Sequence, residues 1–268
     1  MVRWVVQKNL GTSGDPERIG EACERIGAKC DLITRVPFSK ELPNVPTDEP
    51  TIFYGSTRFV NLVFEAERWR PCAFFDPLYF TTQCWMEMYG SACLNHGAKI
   101  TTLEQFCFEP HPSDRLFFVR PDKDLKEFQG GVWAFGDLKR WKTGLLNTDL
   151  GEEQLATIPI LIGEPWGIAR EWRLFMVDGR VCQASQYRVR HKLNVRADVP
   201  TRVLVFAEFW ARQWSPHPIF VMDICESADQ LYILEVGCVN SAGFYACDIN
   251  EIVAWISSKV EDEWQTTE

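Results

Sequence analysis

Two carboxylates set inside apolar strands are the first sign of chemistry in this chain. Asp223 lies in VMDIC (221–225) and Glu235 in YILEV (232–236), with the polar stretch 226–230 between them. Strand side chains alternate between faces. If 226–230 is a loop and Cys225 faces Leu231, Asp223 is diagonal to Glu235. If the turn is centred one residue later, the two face each other directly. Both registers put the carboxylates on one face with Cβ atoms roughly 5 or roughly 7 Å apart, which is repulsive without a counter-ion. An unpaired charge among apolar strand residues is also costly. A divalent, oxygen-seeking cation relieves both problems, and Mg2+ held by one or two carboxylates plus nucleotide phosphates is the common arrangement. A slip of one residue instead splits the pair between faces and leaves one acid in solvent.

Cations suited to phosphate lie elsewhere in the chain. In FFVRPDKDLKEFQGG a strand delivers Arg120, and a loop then carries Lys123 and Lys126 before Gly130 and Gly131. Arginine grips phosphate through its fork, lysine as a point charge, and glycine lets backbone come close. Residues 170–202 hold eight basic side chains against three acidic ones, an island that suits an anionic ligand or a solvated hairpin face. Within it, alternation puts Arg173 on the face opposite Trp172 and Leu174. Other chemistries lack their patterns. There is no Gly-Lys-Ser/Thr phosphate loop, no G-x-G-x-x-G after a strand and no G-x-S-x-G elbow. The four histidines form no metal-binding pair.

The elements that must carry these residues divide the chain near residue 110. Up to there it alternates: strands at 2–7, 30–36, 51–54 and 73–76, with helices at 16–26 and 58–69. Asp15 is the expected N-cap of the first helix with Pro16 at its first position, Ile19, Ala22, Cys23 and Ile26 give it one apolar stripe, and Gly27 stops it. This pattern predicts a small α/β layer with a parallel sheet over 1–110. Pro110, Pro112 and Ser113 mark the boundary. Over 111–268 hairpins dominate. Strands at 173–177 and 180–187 flank Asp178-Gly179, a dipeptide suited to a two-residue primed turn. A helix starts after Asp248, with Ile249, Ile252, Val253, Ile256 and Val260 as its stripe.

Composition bounds the rest. The chain has 268 residues, 46% of them hydrophobic, enough for a real core. Its net charge of −9 argues against a duplex-binding surface, and no apolar run is long enough to span a membrane. Ten cysteines show no C-x-x-C pair and no zinc spacing, which fits a reduced, cytosolic protein. The start shows no signal-peptide pattern.

Taken in order, the motifs resemble a known superfamily. They are the α/β N-terminal half with IFYGST at 52–57, R-P-x-x-D-x-K-x-F-x-G from Arg120 to Gly130, and ILIGEP. E-x-R before a D-G hairpin, the Asp223 and Glu235 pair, and N-S-x-G-F-Y-x-x-D from Asn240 to Asp248 follow. This is similar to the ATP-grasp superfamily, and within it to the clade with arginine where most relatives use the first phosphate-binding lysine. The resemblance covers nearly the whole chain. It implies a Rossmann-like leading domain (1–110) and an ATP-grasp domain with antiparallel sheets (111–268).

It also implies the site. Arg120 and Lys126 would contact the nucleotide phosphates. The strand ending at Ile162 would grip adenine by its backbone, and Glu164 would hold the ribose. Arg173 would neutralise the transferred phosphoryl group, and Asp223 and Glu235 would be the Mg2+ ligands. The family's asparagine two residues after the metal glutamate is Gly237 here. Asn240 could then stand in as a ligand, or the site has lost one. The implied activity is an ATP- and Mg2+-dependent ligase joining a carboxylate to an amine of a small molecule, peptide or protein, in the cytoplasm of a bacterial or phage-infected cell. A kinase-like phosphotransferase and a nucleotide-binding protein with little or no turnover are the alternatives.

Overall fold

The computed structural model describes residues 1–10, 14–37, 39–123, 128–146 and 156–267. Its first sheet is parallel, as the alternating pattern requires, with strand order β2-β1-β3-β4. The strands are β1 (Arg3–Gln7), β2 (Lys29–Ile33), β3 (Thr51–Tyr54) and β4 (Pro71–Cys72). The fourth strand expected at 73–76 is therefore a two-residue strand just before it. Helix α1 (Asp15–Ile26) buries Ile19, Ala22 and Cys23. Ile26, the last residue of the expected stripe, stays exposed. Gly14 rather than Asp15 is the N-cap, and Gly27 ends the helix at φ 73°, a left-handed conformation that glycine adopts at no steric cost. Helix α2 (Thr57–Glu65) is capped by Ser56, whose hydroxyl accepts from the Phe59 amide, and is shorter than the span 58–69.

The chain then leaves this sheet through α3 (Thr82–Tyr89) and enters a four-stranded antiparallel sheet of order β5-β8-β6-β7. These strands are β5 (Lys99–Thr102), β6 (Leu116–Pro121), β7 (Gly131–Ala134) and β8 (Pro159–Gly163). Phe117, Val119, Ile160 and Ile162 on its inner face pack against α4 (Leu103–Phe106) and α5 (Phe135–Leu146) through Leu103, Phe106, Phe135 and Leu138. Residues 99–102 thus already pair with strands of the later half.

The third sheet carries the site. Its order is β11-β10-β9-β12-β13, antiparallel throughout. The strands are β9 (Arg170–Val177), β10 (Arg180–Val189), β11 (Lys192–Arg196), β12 (Ile219–Ser227) and β13 (Gln230–Gly237). Alternation sorts β9 and β12 cleanly. Trp172, Leu174, Met176, Phe220, Met222 and Ile224 form one face, buried with α6 (Thr201–Gln213). On the opposite face Phe175, Val177, Ile219 and Val221 join Trp4, Tyr54 and α7 (Ile249–Thr267) in a core shared with the parallel sheet. Farther along that same face the residues turn polar: Glu171, Arg173 and Asp223. Asp178 and Gly179 take φ 48° and 72°, as the Asp-Gly turn predicts.

None of the ten cysteines forms a disulfide. Among the described residues no helix is long and apolar enough to cross a membrane.

Candidate functional site

A bulge brings the two carboxylates together. The expected loop at 226–230 does not form. Both strands run on to a two-residue turn, Ala228-Asp229, with φ 48° and 61°. From that turn Cys225 faces Tyr232 and Ile224 faces Ile233, the slipped register that would split the acids. Leu234 is then left over as an extra residue, the register shifts, and Asp223 faces Glu235. An unpaired strand residue re-aims its neighbours, and here it sets the pair on one face.

Each acid already has a cation. Arg173 faces Asp223 across β9 and β12. Its Nε and Nη2 donate to Oδ1 and Oδ2, both at 2.9 Å, with side chains 17% and 3% exposed. Burial alone would lower the Arg173 guanidinium, but Asp223 beside it raises it well above its usual range on balance. Tyr245 and Tyr187 stack on each other at 4.9 Å, and the guanidinium lies 5.2 and 5.8 Å from their ring centres, an aromatic enclosure for a cation. Arg120 Nη2 donates to Glu235 Oε1 at 2.6 Å. Gly130 belongs to this arrangement, because a Cβ there would stand 3.0 Å from the Arg120 Cβ.

Beside these residues a cleft of about 630 Å3 opens between the two antiparallel sheets. Arg120, Lys123, Glu171, Arg188 and Glu235 give it a charged part, while Phe118, Phe128, Val132, Trp166, Ile168 and Leu234 give it apolar wall. Its size and mixed lining suit a nucleotide-sized ligand. A smaller cavity of about 50 Å3 adjoins Arg173, Asp223, Glu235, Gly237 and Ser241.

The other expected residues are placed as follows. Lys126 lies outside the described residues, and Lys123 reaches the cleft. Ile162 is buried in β8 with Lys99 and Val119 as strand partners. Glu164 is exposed and accepts from Arg115 at 2.8 Å, and it is not one of the residues that line the cleft. Of the basic island, Arg173 and Arg188 reach the site, while Arg202 pairs with Glu226.

Asn240 does not join the carboxylates. Its Nδ2 donates to the Phe53 carbonyl at 2.6 Å and its Oδ1 accepts from the Phe74 amide at 2.8 Å, so the side chain clamps the parallel sheet to the turn after β13. Its own carbonyl accepts from Gly55. Asn240→Asp keeps oxygens that a cation could use but loses the donor to Phe53. It is expected to cost about 2 kcal/mol or more, because a buried carbonyl is left unpaired, while any stabilisation by Mg2+ and nucleotide is retained. Thermal unfolding with and without Mg-ATP checks this, and a stable variant that had lost its nucleotide response would assign Asn240 to the metal instead.

Two participants went unread in the sequence. Tyr187 donates to Glu171 Oε2 at 2.7 Å and stands 3.3 Å from Asp223 Oδ2, while Arg188 lies 3.6 Å from Glu171. Alternation puts Glu171 of the E-x-R motif on the same face as Arg173, but its pairing with Tyr187 depends on β10 lying beside β9. Burial pushes the Glu171 carboxyl up against the pull of Tyr187 and Arg188. The folded chain thus holds this proton more tightly than the unfolded one. That contribution is fully present below the ordinary value of about 4.3 and is lost as pH rises through the folded one. Glu171→Gln is therefore expected to gain stability at pH 7, with the gain shrinking towards pH 4. Equal shifts in midpoint at both pH values would discount the buried charge.

The donors fit an oxygen-seeking cation only in part. Among the described residues no group of three or more His, Cys, Asp or Glu could hold a metal on its own. Two carboxylates match the number a protein commonly contributes to a Mg2+ site that phosphates and water complete.

An arginine and two facing acids beside a cleft between two antiparallel sheets, with a parallel α/β layer ahead of them, are the features on which the family assignment can be checked. Residues 38–256 match the ATP-grasp domain of the arginine-for-lysine clade, family 3, and the chain belongs to that family. A comparison with curated proteins by sequence returns no match. Among solved structures the chain is similar to the RimK domain protein ATP-grasp from Sphaerobacter thermophilus, with 11% identity, 94% of this chain and 98% of that one covered, and a TM-score of 0.61. It is similar to the ATP-grasp ligase PsnB, solved with the precursor peptide PsnA2 and AMPPNP (12% identity, 97% and 98% covered, TM-score 0.57). It is also similar to the macrocyclase MdnC from Microcystis aeruginosa, bound with the precursor peptide MdnA (12%, 96% and 100%, 0.51). At these identities the likeness is one of fold.

Proposed function

We propose that this protein is an ATP- and Mg2+-dependent ligase that joins a carboxylate to an amine through an acyl-phosphate. The observation that carries this reading is the Asp223 and Glu235 pair, aligned by the bulge and matched by Arg173 and Arg120 beside the cleft. Bound Mg2+ would supply Lewis-acid screening of the charge that develops on the transferred phosphoryl group. The carboxylate substrate attacks the γ-phosphorus and ADP leaves. The amine then attacks the acyl carbon, the C–N bond forms, the C–O bond to phosphate breaks, and the amine's proton passes to solvent. Asp223 and Glu235 would hold the cation, Arg120 and Lys126 the nucleotide phosphates, and Arg173 the transferred group. None of these residues supplies a covalent nucleophile. The site works by positioning reactants and balancing charge. PsnB and MdnC were solved with precursor peptides, which supports a peptide as carboxylate or amine.

The test combines thermal unfolding in Mg-ATP, ATP with EDTA and Mg-GTP with ADP release on mixing carboxylates and amines. A ligand at about 100 times its Kd adds roughly 2.7 kcal/mol, a shift of several degrees at this size. No shift with any nucleotide at millimolar concentration would refute the reading. With Asn240 engaged elsewhere and glycine at 237, a nucleotide-binding protein without turnover is the second reading. It would show the Mg-ATP shift but release no ADP with any carboxylate and amine pair.

A further inference from the structure

A second cavity, of about 190 Å3, lies where the core of the parallel layer meets the core under α6. Its floor is aromatic. Phe64 and Phe75 meet edge to face at 5.5 Å, and Phe75 and Phe80 lie 5.7 Å apart. Phe80 is buried in one core, and Phe64 packs against the other. The volume is below the usual range of about 300–1,000 Å3 for drug-sized pockets, so it suits one small molecule or a single side chain. The polar groups lining it are Asn61 and Glu65, one turn apart on α2, with Thr81 and Lys123. Thr81 already caps α3, accepting from the Cys84 amide and donating to the Leu78 carbonyl. Asn61, Glu65 and Lys123 are left to read a ligand. Lys123 lines both this cavity and the main cleft, so occupants of the two are neighbours.

The geometry points to this cavity as the binding site for a small apolar α-amino acid. Three phenyl rings take the apolar side chain, and their faces also favour a nearby cation. Glu65, exposed at the mouth, pairs with the ammonium. Lys123, of opposite sign, pairs with the carboxylate and holds the ligand next to the phosphate end of the cleft. A nucleotide is too large for this space, and an acidic amino acid would set a second carboxylate against the rings. The part this amino acid plays, as the amine that attacks the acyl-phosphate, rests on the ligase reading; the binding itself does not.

Saturation-transfer NMR with L-phenylalanine, L-leucine, L-aspartate and L-lysine tests the assignment, with Mg-AMPPNP present and absent. The proteins compared are the natural chain, Glu65→Gln and Asn61→Trp, both variants altered on α2 outside the main cleft. L-phenylalanine and L-leucine are expected to bind, about tenfold more weakly to Glu65→Gln, as expected for losing one charged partner worth about 1.4 kcal/mol. Asn61→Trp fills the cavity and is expected to abolish binding. L-aspartate and L-lysine are expected not to bind. If the two apolar amino acids give no signal with the natural chain, or bind Asn61→Trp equally well, the assignment is overturned. Cooperative thermal unfolding of the same samples shows that each variant is folded, and their Mg-ATP stabilisation tests the ligase reading separately. Its absence alongside intact amino-acid binding would sink the ligase reading and leave the site standing.

Discussion

Asp223→Ala is expected to lower the unfolding midpoint by on the order of 10 °C and to erase the stabilisation by Mg-ATP. The Arg173 guanidinium lies between β9, β12 and two tyrosine rings, largely out of water, with Asp223 as its bidentate partner. Removing one member of a buried pair strands the other, at a cost of about 3–5 kcal/mol. Replacing both at once has a different outcome. Arg173→Met with Asp223→Leu leaves no stranded charge, and well-packed apolar substitutes for buried pairs are often neutral or stabilising. The double variant should therefore recover most of the midpoint and still show no response to Mg-ATP. This contrast separates folding from function: a single variant that merely unfolds is uninformative about the nucleotide, whereas a stable double variant is not. A cost below about 1 kcal/mol for Asp223→Ala would show that water screens the pair. A double variant that kept the Mg-ATP shift would remove Asp223 from the metal site.

Sequence patterns located the elements best where local chemistry decides them. Asp178-Gly179 names its own turn, because two consecutive residues with positive φ favour that dipeptide. The stripes of α1 and α7 are visible because one face of each meets a core. Arg173 could be assigned a face because Trp172 and Leu174 on either side of it are fully buried. The turn at Ala228-Asp229 carries no glycine, and the polar stretch 226–230 around it has the composition of a loop. Leu234 is an ordinary apolar strand residue, and nothing local marks it as the one left over. The facing acids were thus expected, but by a route the chain does not take. Helix α6 was missed because TRVLVFAEFWARQ is apolar nearly all round, leaving no clean periodicity: Val205 and Phe209 remain exposed. Asn240 was read by its distance in sequence from Glu235. Its partners, Phe53 and Phe74, lie more than 160 residues away, and only the packing of the two halves reveals them.

The paired state of the site also fixes how Mg2+ and nucleotide should depend on each other. Arg120 neutralises Glu235 and Arg173 neutralises Asp223 in the structure. Phosphates arriving alone must draw the arginines towards themselves and leave two facing carboxylates with less compensation. Mg2+ arriving alone must compete with two guanidinium groups for the same oxygens. Arriving together, each supplies the charge the other removes, so binding should be reciprocally coupled. The expected coupling is at least tenfold, about 1.4 kcal/mol, measured as the ratio of ATP affinities with EDTA and with saturating Mg2+. Glu235→Gln breaks the symmetry. Glutamine keeps the shape and one oxygen but no longer neutralises Arg120, which is then available to phosphate at no cost to an acid. ATP in EDTA should bind this variant more tightly than the natural chain, and the Mg2+ ratio should fall towards one. Arg120 is itself 14% exposed, but glutamine still offers it an oxygen, so Glu235→Gln should cost less stability than Asp223→Ala, which removes the partner outright. Titrations of ATP at several fixed Mg2+ concentrations decide the matter. Coupling that survives intact in Glu235→Gln would mean that the cation is held by other groups and that the ion pair with Arg120 serves only the fold.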